Sequence, residues 1–295
     1  MIDWMKYKWL YFSFSGFLIF LGIFSLLKWG LNLGVDFTGG SILEYKFEQT
    51  ISTEEATKKL EDLGIQVQAV QTTADNSYLF RLPPISKDQK DSISTSLDSL
   101  GKGNANELRF ENVGPSIGPE LIQKTIYAII ISSGTILLWV AYQFKSLKYG
   151  ASAIVAMFHD TFNLVGLYTL LGHFWGAEVD FLFVTALLTT LSFSVHDTIV
   201  VYDRIRETHK KEGGQLYYLA NRATSETMVR SLNNSFTIMF MLLALILLGG
   251  TTTIWFAIAL FIGTILGTYS SPFVAAPLLV TWDQIEQKMK QKRKK

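Results

Sequence analysis

The chain has 295 residues, 49% of them hydrophobic and 14% aromatic, with 26 Lys and Arg set against 25 Asp and Glu for a net charge of +1. So high an apolar fraction, gathered in blocks, excludes an ordinary soluble enzyme, and so even a charge argues against a general nucleic-acid surface. The absence of cysteine agrees with a domain facing an oxidising space without fixing the compartment.

Scanning for apolar stretches long enough to cross a bilayer predicts six spans, at 10–29, 122–142, 150–172, 179–201, 232–249 and 254–280. Lys6 and Lys8 before the first span resemble the start of a secretory signal. The stretch is too long for a signal core, lacks a small-residue cleavage site and precedes further spans, so it reads as an uncleaved anchor. The sixth is long and carries Pro272 and Pro277, which leaves its inner end open.

Between the first two spans lies a polar segment, 30–121, long enough for an independent domain. Ser41 to Phe47 reads as a strand. Ser52, with Glu55 three residues on, opens a helix that carries Ala56, Leu60 and Leu63 on one side and stops at Gly64. Strands follow at Ile65 to Val70 and Tyr78 to Leu82, separated by Asp75 and Asn76. Ser86 and Gln89 form a second capping-box pair before a helix with Ile93, Leu97 and Leu100 as its stripe, ending at Gly101. Leu108 to Val113 supplies a fourth strand. The order βαββαβ predicts a small ferredoxin-like sandwich. It has no Cys or His and no glycine-rich loop entering a helix, so binding or mechanical work is expected there rather than catalysis. Gly114, Pro115, Gly118 and Pro119 form a stiffened linker to the second span.

Orientation follows from the short loops. Lys145 and Lys148 lie between spans two and three, and Arg204, Arg206, Lys210, Lys211 and Arg222 between four and five. The tail adds Lys288, Lys290, Lys292, Arg293, Lys294 and Lys295, while the loops at Glu178 and at Thr251 to Thr253 carry no Lys or Arg. The positive-inside rule places both termini in the cytoplasm. The expected organisation is a cytoplasmic N-terminus (1–9), a first transmembrane helix (10–29), an extracytoplasmic domain (30–121), helices two to six (122–280) and a basic cytoplasmic tail (281–295). This is an integral membrane all-α bundle of six transmembrane helices with one extracytoplasmic α+β ferredoxin-like domain. The basic tail is suited to anionic membrane lipid.

The most informative residue is Asp197, next to His196 inside an apolar span. A charged group at that depth costs roughly 2.5–3.5 kcal/mol on insertion scales, so an intramembrane acid is first read as part of an ion or proton path. At 1.5 Å per residue, Asp160 lies about 16 Å deep, Asp197 about 25 Å below the outer mouth and Arg230 about 28 Å below it. Asp197 and Arg230 therefore share a level, which predicts an ion pair in which the acid exchanges its arginine for a proton. His159 and His196 add groups that titrate near neutrality. Each His alone reads more readily as a hydrogen-bonded core residue than as a relay member, and Asp160 is either a relay member or structural glue. Because His159 and Asp160, like His196 and Asp197, are sequence neighbours, they are expected to point about 100° apart and to form no metal site. Gly263 and Gly267 give a small-xxx-small face for close helix packing.

Three motifs carry a family resemblance. Gly34-Val35-Asp36-Phe37-Thr38-Gly39-Gly40 follows the first span, Asp197-Thr198-Ile199-Val200-Val201-Tyr202-Asp203-Arg204-Ile205-Arg206-Glu207 closes the fourth, and Gly267-Thr268-Tyr269-Ser270-Ser271 lies in the sixth. In this order they resemble the SecD/SecF family of bacterial protein-translocase subunits, within the resistance-nodulation-division (RND) superfamily. The resemblance implies a non-enzymatic accessory subunit of the plasma (inner) membrane that has no cofactor, uses protons as coupling ion and draws a translocating preprotein outward. Its implied partners are SecD, the SecYEG channel and the SecA motor. It also implies that Asp197 is the proton-responsive acid, that Arg230 is the arginine at the start of the fifth span, and that Gly34, Asp36, Phe37, Gly39 and Gly40 form the base of the outer domain. Asp203, Arg204 and Arg206 would couple the fourth span to a segment at 212–227 lying along the membrane surface; without the resemblance they read as an interfacial anchor. The chain departs from the family at Ser192-Phe193-Ser194-Val195-His196, where His196 replaces the usual asparagine. Two other readings stay open: half of an RND-type exporter of small molecules or lipids, and a non-transporting assembly scaffold.

Overall fold

In the computed structural model, residues 2–72, 76–101, 104–114 and 117–293 are described. Asp75, Pro115, Lys294 and Lys295, assigned above to a turn, a linker and the tail, lie outside them. In chain order the elements are a 3-10 turn (Trp4–Tyr7), α1 (Lys8–Trp29), α2 (Val35–Thr38), β1 (Gly40–Phe47), α3 (Thr53–Asp62), β2 (Ala69–Thr72), β3 (Ser77–Leu82), α4 (Lys87–Leu100), β4 (Ala105–Val113), α5 (Ile117–Phe144), α6 (Leu147–Trp175), α7 (Phe181–Glu212), α8 (Leu216–Leu248), α9 (Thr251–Ser270), a π-helical turn (Ser271–Ala275) and α10 (Ala276–Arg293). The chain divides into two compact units, Leu33–Ile126 and the remainder, Met1–Asn32 with Tyr127–Lys295.

The smaller unit is a four-stranded antiparallel sheet in the order β2-β3-β1-β4, the strand order of a ferredoxin-like sandwich. Alternation along β1 sends Leu43, Tyr45 and Phe47 into a core shared with Ala56 and Leu60 of α3 and Ile93 and Leu97 of α4. Both helices start as their sequences require. Ser52 accepts from the Glu55 amide at 3.4 Å, and Ser86 with Gln89 closes a full reciprocal capping box. The second strand differs from expectation, running over Ala69–Thr72 rather than from Ile65 to Val70. Ile65 is buried in the core outside any ladder, and pairing begins only where the chain comes alongside Arg81 to Tyr78 of β3.

Among the described residues the chain has six helical stretches long and apolar enough to span a membrane, Trp4–Trp29, Gly118–Phe144, Leu147–Trp175, Phe181–Glu212, Leu216–Leu248 and Thr253–Lys292. Two close crossings tie them together. A Cβ on Gly166 of α6 would stand 2.3 Å from the Cα of Gly22 in α1, and a Cβ on Gly263 of α9 would stand 2.1 Å from Thr190 Cγ2 in α7. The second crossing is the face expected at Gly263 and Gly267. The first has no local sequence signature, because its glycines lie on different spans.

Two features depart from the expected spans. The segment 212–227 is no separate surface element: from Leu216 it is the first third of α8, a continuous helix of 33 residues and about 50 Å. The sixth span runs on through its prolines to Arg293. Pro272 offers no N–H to the carbonyl one turn back, and the helix widens there into a π turn closed from Ala276 N–H to Ser271 O. Beyond it, Lys148 pairs with Asp283 at 2.5 Å and Lys8 donates to Gln284 at 2.7 Å, holding α10 against the starts of α6 and α1. α5 behaves differently: its buried hydrophobic side chains, Val140 and Phe144, are both near its C-terminal end, where Phe144 stacks on Tyr149 and meets Tyr202 edge-on.

Candidate functional site

α6 turns His159, Asp160 and Asn163 inward together, and all three are buried. One oxygen of Asp160 lies 2.9 Å from His159 Nδ1, and the other accepts from Ser194 of α7 and Ser270 of α9, each at 2.5 Å. His159 Nε2 is 3.0 Å from the Asn163 amide nitrogen, while Asn163 Oδ1 is buried without a partner among the described residues. Asp160 thus joins three helices. The expected 100° divergence of His159 and Asp160 does not separate them, because both side chains bend toward the same interior. Among the described residues there is no cluster of three or more His, Cys, Asp or Glu able to hold a metal.

Asp197 lies on the inward face of α7, three residues beyond Ser194 and one turn away. Both its oxygens accept from Ser231 Oγ of α8, at 2.8 and 2.7 Å. The next residue, Thr198, shares a 3.0 Å hydrogen bond with Ser271, whose hydroxyl also reaches Gly267 O at 3.1 Å and Ser194 O at 3.4 Å. Ser235 extends the line, donating to Ser231 O at 2.9 Å and lying 2.6 Å from Thr268. Buried hydroxyls from α7, α8, α9 and the π turn therefore surround both acids.

The expected Asp197–Arg230 ion pair is not formed. Arg230 is exposed and has no ion-pair partner among the described residues; it lines a cavity of about 380 Å³ with Val200, Asp203, Arg204, Glu207, Glu226 and Thr227. The depth estimate set Arg230 at the level of Asp197 but said nothing of azimuth, and on α8 it is the neighbouring Ser231 that faces the acid. His196 also points away from the acids, exposed in a groove between α5 and α7.

These contacts have a chemical consequence. A guanidinium only donates and cannot accept the O–H of a protonated acid, whereas a hydroxyl donates to the carboxylate and accepts from the acid by rotating its proton. An acid ringed by serines keeps a hydrogen-bond partner in both protonation states. The sequence signal for hydroxyl partners is spacing alone: Ser194 precedes Asp197 by three residues and Ser231 and Ser235 are four apart, both spacings that share a helix face.

At the far end of α7, Arg204 pairs with Glu226 of α8 and with Glu207, and Arg206 pairs with Asp203, donates to Gln143 O of α5 at 2.8 Å and lies over the Phe144 ring. This charge run bridges helices as well as lying at a span end. In the smaller unit, residues 34–40 form a capped turn: α2 occupies Val35–Thr38 between glycines, Val35 and Phe37 are buried, and Asp36 is half-buried. Gly40 enters β1 with φ +129° and 2.9 Å between a would-be Cβ and Leu82 O, so only glycine fits without a shift.

Comparison with known proteins gives one answer. The family "Protein export membrane protein SecD/SecF, C-terminal" matches residues 92–285, and the SecD/SecF GG motif matches 24–51. The chain is 40% identical over 301 residues to a protein translocase subunit SecF from Thermobaculum terrenum, covering 96% of this chain and 94% of that protein. It is 37% identical to the SecDF subunit of Thermus thermophilus, covering 86% of this chain and 35% of that protein. The crystal structure of SecDF from Thermus thermophilus superposes with a TM-score of 0.82 at 32% identity, over 96% of this chain and 39% of that one. SecDF in its super-membrane-facing form gives 0.72 over 99% and 40%.

Proposed function

The chain belongs to the SecD/SecF family and is a multi-pass membrane subunit of the Sec protein translocase, of the SecF kind; from that premise we propose that it uses the proton gradient to promote preprotein export. It works beside SecD, in line with relatives that carry both names in one chain. In this reading SecYEG and SecA deliver the polypeptide, both termini are cytoplasmic and Leu33–Ile126 lies on the outer side, where the chain emerges.

The observation that carries the proposal is the pair of buried acids, Asp160 and Asp197, each held by serine hydroxyls from neighbouring helices. Proton arrival at Asp197 reverses the Ser231 hydroxyl and changes the contact between α7 and α8; the same event at Asp160 acts on α7 and α9, with His159 as its titratable neighbour. Arg230 waits in the charged cavity beside Asp203 and Arg204, where a shift of α8 relative to α7 alters its surroundings. Asp203, Arg204 and Arg206 carry that movement to α8 and α5, and the Gly34–Gly40 turn is the base on which the outer domain is mounted.

Inverted membrane vesicles test this. With an imposed proton gradient, wild-type chain raises the rate and extent of preprotein transport, and Asp197→Asn removes the gradient-dependent part while the protein remains inserted. If neutral replacements at Asp160, Asp197 and Arg230 all leave that part intact, the scaffold reading takes its place.

A further inference from the structure

Two lengths of chain lead from the larger unit into the smaller one: residues 29–32, after which the smaller unit begins at Leu33, and α5, which crosses the boundary after Ile126. The larger unit holds them very differently. α5 is gripped late, since the hydrophobic side chains it buries, Val140 and Phe144, lie near its far end and Ile130, Ile131 and Leu138 remain exposed. Residues 29–32 are gripped at once.

Asn32 sits on the turn between α6 and α7. Its carbonyl accepts from the Val179 N–H at 2.7 Å, and its side-chain amide donates to Ala177 O at 3.3 Å. Three residues earlier, Trp29 stacks on His173 of α6, with ring centres 4.5 Å apart and planes 17° from parallel, and Lys28 Nζ lies 4.8 Å from the centre of the Trp29 ring. Gly172 makes room for this seat: a Cβ there would stand 3.3 Å from Asn32 Cβ and 2.9 Å from Ala177 O.

The turn itself is stiff. Gly176 ends α6 in the left-handed region, at φ +74°, and its N–H bonds Gly172 O at 3.1 Å while the Ala177 N–H bonds Leu171 O at 3.4 Å. Tyr168 of α6 donates to Glu178 O at 3.1 Å, and Ala177 and Val179 are buried. Asp180 then caps α7 by accepting from the Phe183 N–H at 2.7 Å. α6 carries Asp160 and α7 carries Asp197. A displacement of either helix therefore arrives at one short, fully bonded turn, whose backbone is tied to the last residue before the smaller unit.

We propose that Asn32 is a positioning residue that passes movement of the two acid-bearing helices to the smaller unit, through its paired contacts with Ala177 and Val179. This rests on the proton-driven reading stated under the proposed function. A contiguous bonded link between two elements transmits a shift that a slack one absorbs. Asn32 stays seated through the working cycle, and the turn and the root of the smaller unit move together.

Inverted membrane vesicles bearing the full chain with its translocase partners report two quantities at once: gradient-driven preprotein transport, and proton movement followed with a pH-sensitive dye. Two glycines inserted between Asn32 and Leu33 leave every contact of the turn in place but slacken the tether, so the gradient-driven gain falls to about a fifth of wild type or less while proton movement continues. Asn32→Ala removes only the Ala177 contact and lowers that gain by about two- to fivefold, the worth of one neutral hydrogen bond; it decides the question should the insertion fail to reach the membrane. A gain that survives both changes overturns the inference. So does loss of proton movement together with the gain, which would mark these contacts as support for the helices rather than a link. A wild-type chain with no gradient-driven gain refutes the proton-driven reading and takes the inference with it, whereas a wild-type gain untouched by the variants refutes the inference alone.

Discussion

The hydroxyl of Ser231 touches both carboxylate oxygens of Asp197, at 2.8 and 2.7 Å, while Arg230, one residue earlier, is turned out of the acid's reach. One hydroxyl proton serves two acceptors, so the contact between α7 and α8 at this level hangs on a group that reorients freely. Ser231→Ala should uncouple proton-driven export from the gradient while leaving gradient-independent export near wild type. Ser231→Thr, which keeps the hydroxyl, should retain coupling, and transport measured at several external pH values will tell the two apart.

Asp160 accepts from Ser194 and Ser270 and lies beside His159, so deleting it strands hydroxyls on two other helices. Each donor left without its acceptor costs about 1–3 kcal/mol. Asp160→Ala is therefore expected to lower the thermal unfolding midpoint in detergent more than Asp197→Ala, because Asp160 holds His159 as well as two hydroxyls whereas Asp197 holds the hydroxyls of Ser231 and Ser271. Equal midpoints would remove Asp160 from its place as the joint between α6, α7 and α9.

The α7–α9 crossing leaves no room at Gly263, where a Cβ would stand 2.1 Å from Thr190 Cγ2. Gly263→Ala should destabilise the bundle by about 1–3 kcal/mol through overpacking. Thr190→Ser, which deletes the offending methyl, should recover much of that loss in the double variant. Thermal unfolding of the four proteins measures the coupling directly.

Tyr45 of the ferredoxin-like unit has its phenol pushed up to about 12, chiefly by burial, with the Glu107 carboxylate adding to the rise and the Ser94 hydrogen bond opposing it. A phenol that ionises later in the folded unit than in the unfolded chain contributes stability that is whole below about pH 10 and is lost as pH climbs toward 12. Tyr45→Phe should flatten the fall of stability across that alkaline window. Tyrosinate absorbance followed alongside unfolding will show whether Tyr45 is the group responsible.

Much of this architecture is legible in the residues. Hydropathy marks the six spans, and Ser52, Gly64, Ser86 and Gly101 mark the helix ends of the small domain, because capping chemistry is local and needs no tertiary information. Ile65 misleads, since an apolar residue entering a core looks the same in sequence whether or not its backbone is paired. Counting residues also gives a height in the membrane but no direction around the helix, which is why Arg230 seemed the match for Asp197 while Ser231 makes the contact. His196, similarly, sits next to the acid in sequence, yet its side chain is exposed in the groove beside α5 while Asp197 is buried. The serines carry little signal for another reason: a hydroxyl in a helix commonly bonds a carbonyl one turn back, as those of Thr161 and Thr169 do here.

The widened turn at Ser271–Ala275 sets the clocking of the last helix. A π turn accommodates one residue more than an α turn, so everything after Ala275 is rotated by roughly a quarter revolution from where an unbroken helix would carry it. That offset aims Leu279 and Val280 at the core and Asp283 at Lys148. Removing a single residue from the turn would spin the C-terminal portion out of mesh with α6 while leaving the N-terminal portion seated, much as a gear loses engagement when one tooth is filed away.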